Sequence, residues 1–151
     1  MLPKFHIIIG LIITIIFFFV FNISVTQSII IWLASFLIDV DHYLYFVGKK
    51  KKISLQQARK FFFEYRAAWL KLDKKEKIKY KKPIFLFHGI ECWIILTLIS
   101  LAYSIVWFVL FGFAIHMTLD YFELLHYKFP LYSKTSQLMV FALNKNKLNF
   151  R

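Results

Sequence analysis

The chain has 151 residues, 60% of them hydrophobic, with 20 Lys and Arg against 8 Asp and Glu and a formal net charge of +12. The apolar share exceeds the roughly 45–50% of a soluble domain, and the length allows one domain. A single cysteine, Cys92, excludes an internal disulfide and a Cys-x-x-Cys metal site, so any metal chemistry would rest on His, Asp and Glu.

Crossing a bilayer takes about 20 mostly apolar residues, and four runs meet that length: 5–22, 28–47, 84–102 and 104–122. Lys4 ahead of the first run mimics a secretory leader. The run is long for that, however, and NISVTQS after it offers no Ala-x-Ala-like cleavage site, so it is read as retained. The glycosylation-like Asn22-Ile23-Ser24 sits in a very short loop against the membrane and is read as chance. Between the second and third runs, residues 49–82 hold fourteen Lys or Arg against Glu64, Asp73 and Glu76. The two short turns between runs one and two, and three and four, hold no Lys or Arg. An even number of spans puts both termini and this loop on one side, which the positive-inside rule makes the cytoplasm of a multi-pass inner-membrane protein. The charge points to anionic lipid headgroups as partners, not to nucleic acid. Nothing in the sequence sets an oligomeric state.

Within the loop, ISLQQARKFFFEYRAAWLKL (53–72) reads as an interfacial helix. Ser54 and Gln57 form a capping-box pattern, and Leu55, Ala58, Phe62, Tyr65, Trp69 and Leu72 make an apolar stripe with Arg59, Lys60, Arg66 and Lys71 off it. Such basic amphipathic helices lie in the headgroup plane, here as a topology anchor or as a lid beside a site. Residues 128–151 read as a short basic tail with a small helix at 135–143. The expected fold is therefore an all-α integral membrane protein: a four-helix transmembrane bundle (1–127, including the basic cytoplasmic loop 48–83) with one cytoplasmic interfacial amphipathic helix.

Five of the eight acids, Asp39, Asp41, Glu91, Asp120 and Glu123, lie within or at the end of a span, as do His6, His42, His88 and His116. An Asp at the centre of a spanning helix costs roughly 2.5–3.5 kcal/mol, and no Lys or Arg inside the spans pairs with these acids. Protonation or a bound cation must neutralise them, and intramembrane ionisable groups are functional candidates by default. Tracing the spans out and back places His6, Asp39, Asp41, His42, His88, Glu91, His116 and Asp120 in the cytoplasmic half, within roughly 12 Å of that interface at 1.5 Å per residue. His88 and Glu91, His116 and Asp120, and Asp39 and His42 each share a helix face. Gly10 and Gly112, one turn from His6 and His116, would let helices approach closely. Bundle interiors are where carboxylate-bridged metal sites are built. Four His and four carboxylates exceed the needs of one four-coordinate zinc. The expectation is one or two divalent ions, Zn with Mn or Fe as alternatives, bridged by Asp39 or Asp41. The ordinary readings are an interfacial His6, a solvated helix end at Asp39–His42, and hydrogen-bonded pairs at His88/Glu91 and His116/Asp120. Glu123 and His126 are read as interface.

KFHIIIG, FLIDVDHYLYF, FHGIE and AIHMTLDYF, in that order, resemble the YdjM-like family of inner-membrane metal-dependent hydrolases over most of residues 5–123. The resemblance makes His6, Asp39, Asp41, His42, His88, His116 and Asp120 the counterparts of that family's polar residues. Ile38 stands where a Pro is usual. The third element, usually like His-Arg-Gly-x-Thr-His-Ser, keeps one His, aligned here as His88. Lys81 or Lys82 would then take the role of the missing Arg in binding substrate, and Glu91 would supply the lost ligand. The implied activity is hydrolysis, and the favoured chemistry is attack of a metal-activated water on a phosphoester or related ester of a lipid-like substrate. Asp39 or Glu91 would take the proton. A metal-binding transporter or sensor without catalysis, and a structural anchor with protonated acids, are the alternatives. The apolar outer halves of the spans, such as IITIIFFFV and ILTLISLAY, offer a transporter almost no polar path.

Overall fold

The structure is a computed structural model that describes residues 3–127 and 129–150. It is all-helical apart from turns and one isolated bridge between Tyr80 and Leu148. Helix α1 (Pro3–Phe21) begins on a proline, whose missing N–H costs nothing in a first turn. It ends where Asn22 turns left-handed (φ 48°), a conformation Asn tolerates better than most residues. Ser24 then caps α2 (Val25–Leu37): its Oγ accepts from Gln27 N at 3.2 Å, and Gln27 Oε1 accepts from Ser24 N at 2.8 Å. Three residues thus close a helical hairpin.

The run expected as one helix over 28–47 is a rod with a break. Helix α2 gives way at Ile38–Asp39 to i→i−3 bonds (Asp39 N to Phe36 O at 3.2 Å, His42 N to Asp39 O at 3.0 Å), and α3 (Val40–Lys50) follows. Lys51, left-handed at φ 54°, closes it. Helix α4 (Leu55–Leu70) is capped by Ser54 Oγ, which accepts from Gln57 N at 3.4 Å. Of the predicted stripe, Phe62 and Trp69 meet Phe85 and Phe150 and Ala58 is buried, while Leu55 is exposed, so most of the stripe packs on protein; Phe61, off the stripe, meets Phe46. Helix α5 (Lys74–Lys79) starts on an Asp73/Glu76 capping box.

The largest departure from expectation is at 84–102. Only Ile90–Ala102 forms an α-helix, α6. Its 13 residues span about 20 Å at 1.5 Å each, short of a hydrocarbon core of about 30 Å. Ahead of it the chain is extended, then makes a single 3₁₀ turn at Leu86–His88 and an extended Gly89. Pro83 cannot continue a ladder, and the freed amides are held from elsewhere: Phe85 N by Gln137 Oε1 at 2.9 Å and Phe87 N by Asp41 Oδ2 at 3.1 Å. Helix α7 (Val106–His126) returns from α6, and α8 (Tyr132–Thr135) and α9 (Gln137–Asn144) make the tail. Three helical stretches, Pro3–Phe21, Val25–Lys50 and Val106–His126, are long and apolar enough to cross a membrane, and α6 is a shorter apolar helix.

Helix α2 lies against both α1 and α7, and two glycines set the spacing. A Cβ on Gly112 would stand 2.5 Å from both Ala34 Cβ and Ile31 O, and one on Gly10 would overlap the Ser35 hydroxyl. The close approach expected at both glycines is present. A core of Ala34, Ile38, Phe113 and Met117, joined by Trp93 and Leu96 of α6, forms beside this contact.

Candidate metal centre

The helix contacts bring six of the predicted residues to one point. His6 is one turn from Gly10 on α1, and His116 one turn from Gly112 on α7, so the same approach that presses the helices onto Ser35 delivers both rings. Asp39 and His42 come from the broken α2–α3 junction, His88 from the 3₁₀ turn, and Asp120 from the turn of α7 after His116. The rings of His6, His88 and His116 are wholly buried, at 0% exposure, and Asp120 is at 2%.

Four atoms converge most closely: His88 Nε2, His116 Nε2, Asp39 Oδ1 and Asp120 Oδ2. The two nitrogens are 3.2 Å apart. His88 Nε2 is 3.6 Å from Asp39 and 3.4 Å from Asp120, and His116 Nε2 is 3.5 and 3.3 Å from the same oxygens. Ligands about 2.0–2.1 Å from a tetrahedral zinc ion stand about 3.3 Å from one another, so these separations have the size of tetrahedron edges.

The outer contacts fix which atoms face inward. His116 Nδ1–H donates to the Ser35 carbonyl at 2.9 Å, and His88 Nδ1–H donates to Asp41 Oδ2 at 2.9 Å. These tautomers follow from the partners, and they leave an Nε2 lone pair on each ring beside two carboxylates. Acceptors that crowd together in this way need a proton or a cation among them. Lys134 supplies one charge, its Nζ donating to Asp120 Oδ2 at 2.6 Å. Burial opposes charge on Lys134, but Asp120 and Asp39 beside it hold its pKa above the ordinary lysine value. Among the described residues Asp39, Asp41 and Asp120 gather more negative charge here than Lys134 offsets with the imidazoles neutral, a balance that a divalent ion or protons could restore. His6 carries a further sign. Among the described residues neither of its ring nitrogens has a hydrogen bond, although it is fully buried, stacked 3.9 Å from His116 and with Nε2 3.6 Å from Asp120 Oδ1. A buried polar group without a hydrogen bond costs about 1–3 kcal/mol, and a metal is one partner that an imidazole at this place could take. The donors present therefore fit a divalent ion, and the His/Asp groups could hold one in three overlapping sets: His6, Asp39 and His116; Asp39, His42 and His88; and His88, His116 and Asp120.

Asp41 is not among those donors. It works from outside, accepting from Phe87 N and His88 Nδ1 through Oδ2 and facing His42 Nδ1 at 3.0 Å through Oδ1. Of the two aspartates expected as bridges, Asp39 is the one shared between sets. His42 is stacked 3.8 Å from Phe85 and has the edge of Phe62 of α4 at 5.4 Å.

Glu91 is elsewhere, and the reading of it as ligand and base is corrected. Its carboxylate accepts from Ser136 Oγ at 2.6 Å and from the backbone N–H of Gln137 and Leu138 at 3.1 Å, capping α9. The three-residue spacing from His88 implied a common face only if both lay on one helix, and Gly89 separates them. Lys81 and Lys82 are also away from the centre. Lys81 N donates to Leu148 O at 2.8 Å, and Lys82 exchanges backbone bonds with the Asn144 amide at 2.9 and 2.8 Å. Burial, with Lys147 and Lys77 nearby, pushes the Lys82 ammonium down to about 7, while the Trp69 face 3.6 Å away favours its charge. These two lysines strap the loop to the tail. Glu123, read as interface, pairs with Arg66 of α4.

Sequence reasoning missed Lys134 and Ser35. A lysine in a basic tail carries no mark of its partner, and Ser35 acts through its carbonyl, which every residue has. Compared with family models, curated proteins and solved structures, the chain has no match.

Proposed function

We propose that the protein is a membrane-embedded, metal-dependent hydrolase acting on a phosphoester of a lipid-like substrate at the cytoplasmic interface. The observation that carries this reading is the convergence of His88, His116, Asp39 and Asp120 at separations of 3.2–3.6 Å, with both imidazoles oriented from behind, as ligating histidines are. The resemblance to the YdjM-like family points the same way. A second ion would take either His6 or His42 together with Asp39, which is shared by their two separate sets.

A divalent ion, Zn or else Mn or Fe, supplies Lewis acidity and lowers the pKa of a water toward 7. The chain's own part is positioning and proton transfer. His88, His116 and Asp120 would hold the ion and leave its fourth position to the water, and Asp39, 20% exposed where Asp120 is at 2%, would be the accessible carboxylate that takes the water's proton. The water oxygen bonds to phosphorus, the phosphorus–oxygen ester bond breaks, and the proton ends on the departing alkoxide. His42 Nδ1, 3.2 Å from Asp39 Oδ1, holds that carboxylate in place. Helix α4, with Phe62 against His42, is the lid, and its basic side chains gather anionic headgroups.

The membrane arrangement in this reading is a four-helix bundle in which α6 completes the set. Its 13 residues reach about 20 Å, the length of α7 from Val106 to the level of His116–Asp120. The segment 81–89, extended apart from the 3₁₀ turn at Leu86–His88, carries the chain through the rest. Non-helical backbone at membrane depth is tolerated where protein satisfies it, and Asp41 and Gln137 do so here. Both termini and the loop then face the cytoplasm.

The test is metal content of the detergent-purified protein beside Asp39→Ala/His116→Ala, with phosphoester hydrolysis assayed in mixed micelles. Near-stoichiometric metal in the wild type, lost with activity in the variant, supports the reading. Negligible metal in well-folded wild type never exposed to chelator overturns it in favour of an anchor with protonated acids. Bound metal without hydrolysis of any phosphoester favours the non-catalytic alternative.

A further inference from the structure

Three lysines meet where the basic loop joins the tail. Lys77 of α5 and Lys82 of the segment after it are buried, at 8% and 6% exposure, and Lys147, beyond α9, is half-buried. Lys77 and Lys147 are near enough to oppose the charge on Lys82. Each Nζ stands over a ring: Lys82 3.6 Å from the centre of Trp69, Lys77 4.9 Å from Phe129 and Lys147 5.4 Å from Tyr132, whose hydroxyl accepts from it at 3.1 Å. A ring face answers one side of an ammonium, which carries three donors. Among the described residues, Lys77 Nζ and Lys82 Nζ have no hydrogen-bond acceptor and none of the three lysines makes an ion pair. The chain's eight Asp and Glu are all engaged elsewhere: three among the clustered histidines, Glu91 on α9, Glu123 with Arg66, Glu64 with Lys60, and Asp73 and Glu76 in the α5 cap. Buried charge calls for a counter-charge, and here the chain supplies none. An open cleft between α5 and α9 carries Lys79, Asn146 and Lys147 on its walls, which gives an anion a way in beside Lys147.

We propose that Lys77, Lys82 and Lys147 form a binding site for a phosphate-type oxyanion, either free phosphate or the phosphate of a lipid headgroup, held between the loop and the tail. A phosphate group matches the donors: it carries close to two negative charges and several acceptor oxygens at once, and lysines bind it as point charges. A carboxylate brings one charge and two oxygens to three ammoniums. The inference goes beyond the hydrolase reading and does not depend on it, because none of the three lysines belongs to the sets that could hold a metal.

The experiment is isothermal titration calorimetry of the full-length protein in an uncharged detergent and phosphate-free buffer, at constant ionic strength so that screening does not change. The probes are inorganic phosphate, against sodium chloride, and dioleoyl phosphatidate in mixed micelles, against dioleoyl phosphatidylcholine. One-to-one binding of at least one probe is expected, and the tighter of the two names the source. Lys82→Gln and Lys147→Gln each remove a charged hydrogen-bond donor and should weaken binding by about tenfold or more. Lys147, half-buried near the chain end, keeps the test open where Lys82→Gln does not fold. Lys60→Gln changes the charge equally at an exposed position and should leave binding unaltered. No saturable binding of either probe overturns the proposal. Equal weakening by Lys60→Gln does so too, because the field of the whole loop would then account for the affinity. Binding kept by both variants but lost on chelation would place the phosphate at the metal centre and also overturn it.

Discussion

Two carboxylates that look alike in the sequence have different duties, and single substitutions separate them. Asp41 orients His88 and His42 without being one of the converging donors. Asp41→Asn keeps the shape but replaces the carboxylate that accepts from His88 Nδ1–H. Loss of such an outer partner costs about 10–100-fold in metal affinity, so a competitive metal titration should find the ion bound, but more weakly by that factor. Complete loss would make Asp41 a ligand. Glu91 gives the opposite expectation. Glu91→Gln should leave metal content unchanged and weaken the α9 cap by ~1 kcal/mol, seen as faster proteolysis within 129–150. Lost metal with an intact tail would return Glu91 to the ligand set.

At the scale of helices, the two close approaches differ in what a methyl would strike. At Gly112 it meets Ala34 Cβ and the Ile31 carbonyl, both fixed to α2, whereas at Gly10 it meets the Ser35 hydroxyl, which can rotate away from its bond to Trp32 O. Gly112→Ala should therefore cost about 1–3 kcal/mol, as overpacking does, and Gly10→Ala less. Thermal unfolding in detergent ranks the two, and an equal or reversed order would mean that α7 is not seated on α2 as described. The broken α2–α3 rod and the unwound start of α6 have a common logic. Each interruption lies where the chain must aim a donor at the centre, Asp39 in one and His88 in the other.

For the whole molecule, the apolar runs and the polar residues inside them were legible because ionisable groups in spans stand out against hydrocarbon. His6, Asp39, His42, His88, His116 and Asp120 were all found that way, and the glycines beside two of them foretold the helix contact. The length of the third run was misleading: hydropathy reads 84–89 as apolar but does not register that Pro83 and Gly89 withhold helical bonds. The role of the tail was invisible because its bonds to Phe85, Glu91 and Asp120 cross 14 to 52 residues. Whether the unwound segment completes a crossing is decided by cysteine labelling in intact cells and inverted vesicles. A cysteine at Ile53 should react from the cytoplasm and one at Tyr103, exposed between α6 and α7, from outside. Labelling of both from one side would leave three crossings. Lys134 adds an order of events to this architecture. All three clustered aspartates leave the ribosome before it does, Asp120 by 14 residues, so the bundle is made as an acid-rich vessel and is closed last by its own stopper. Until the tail docks, the chain's order of synthesis keeps that vessel open to a cation.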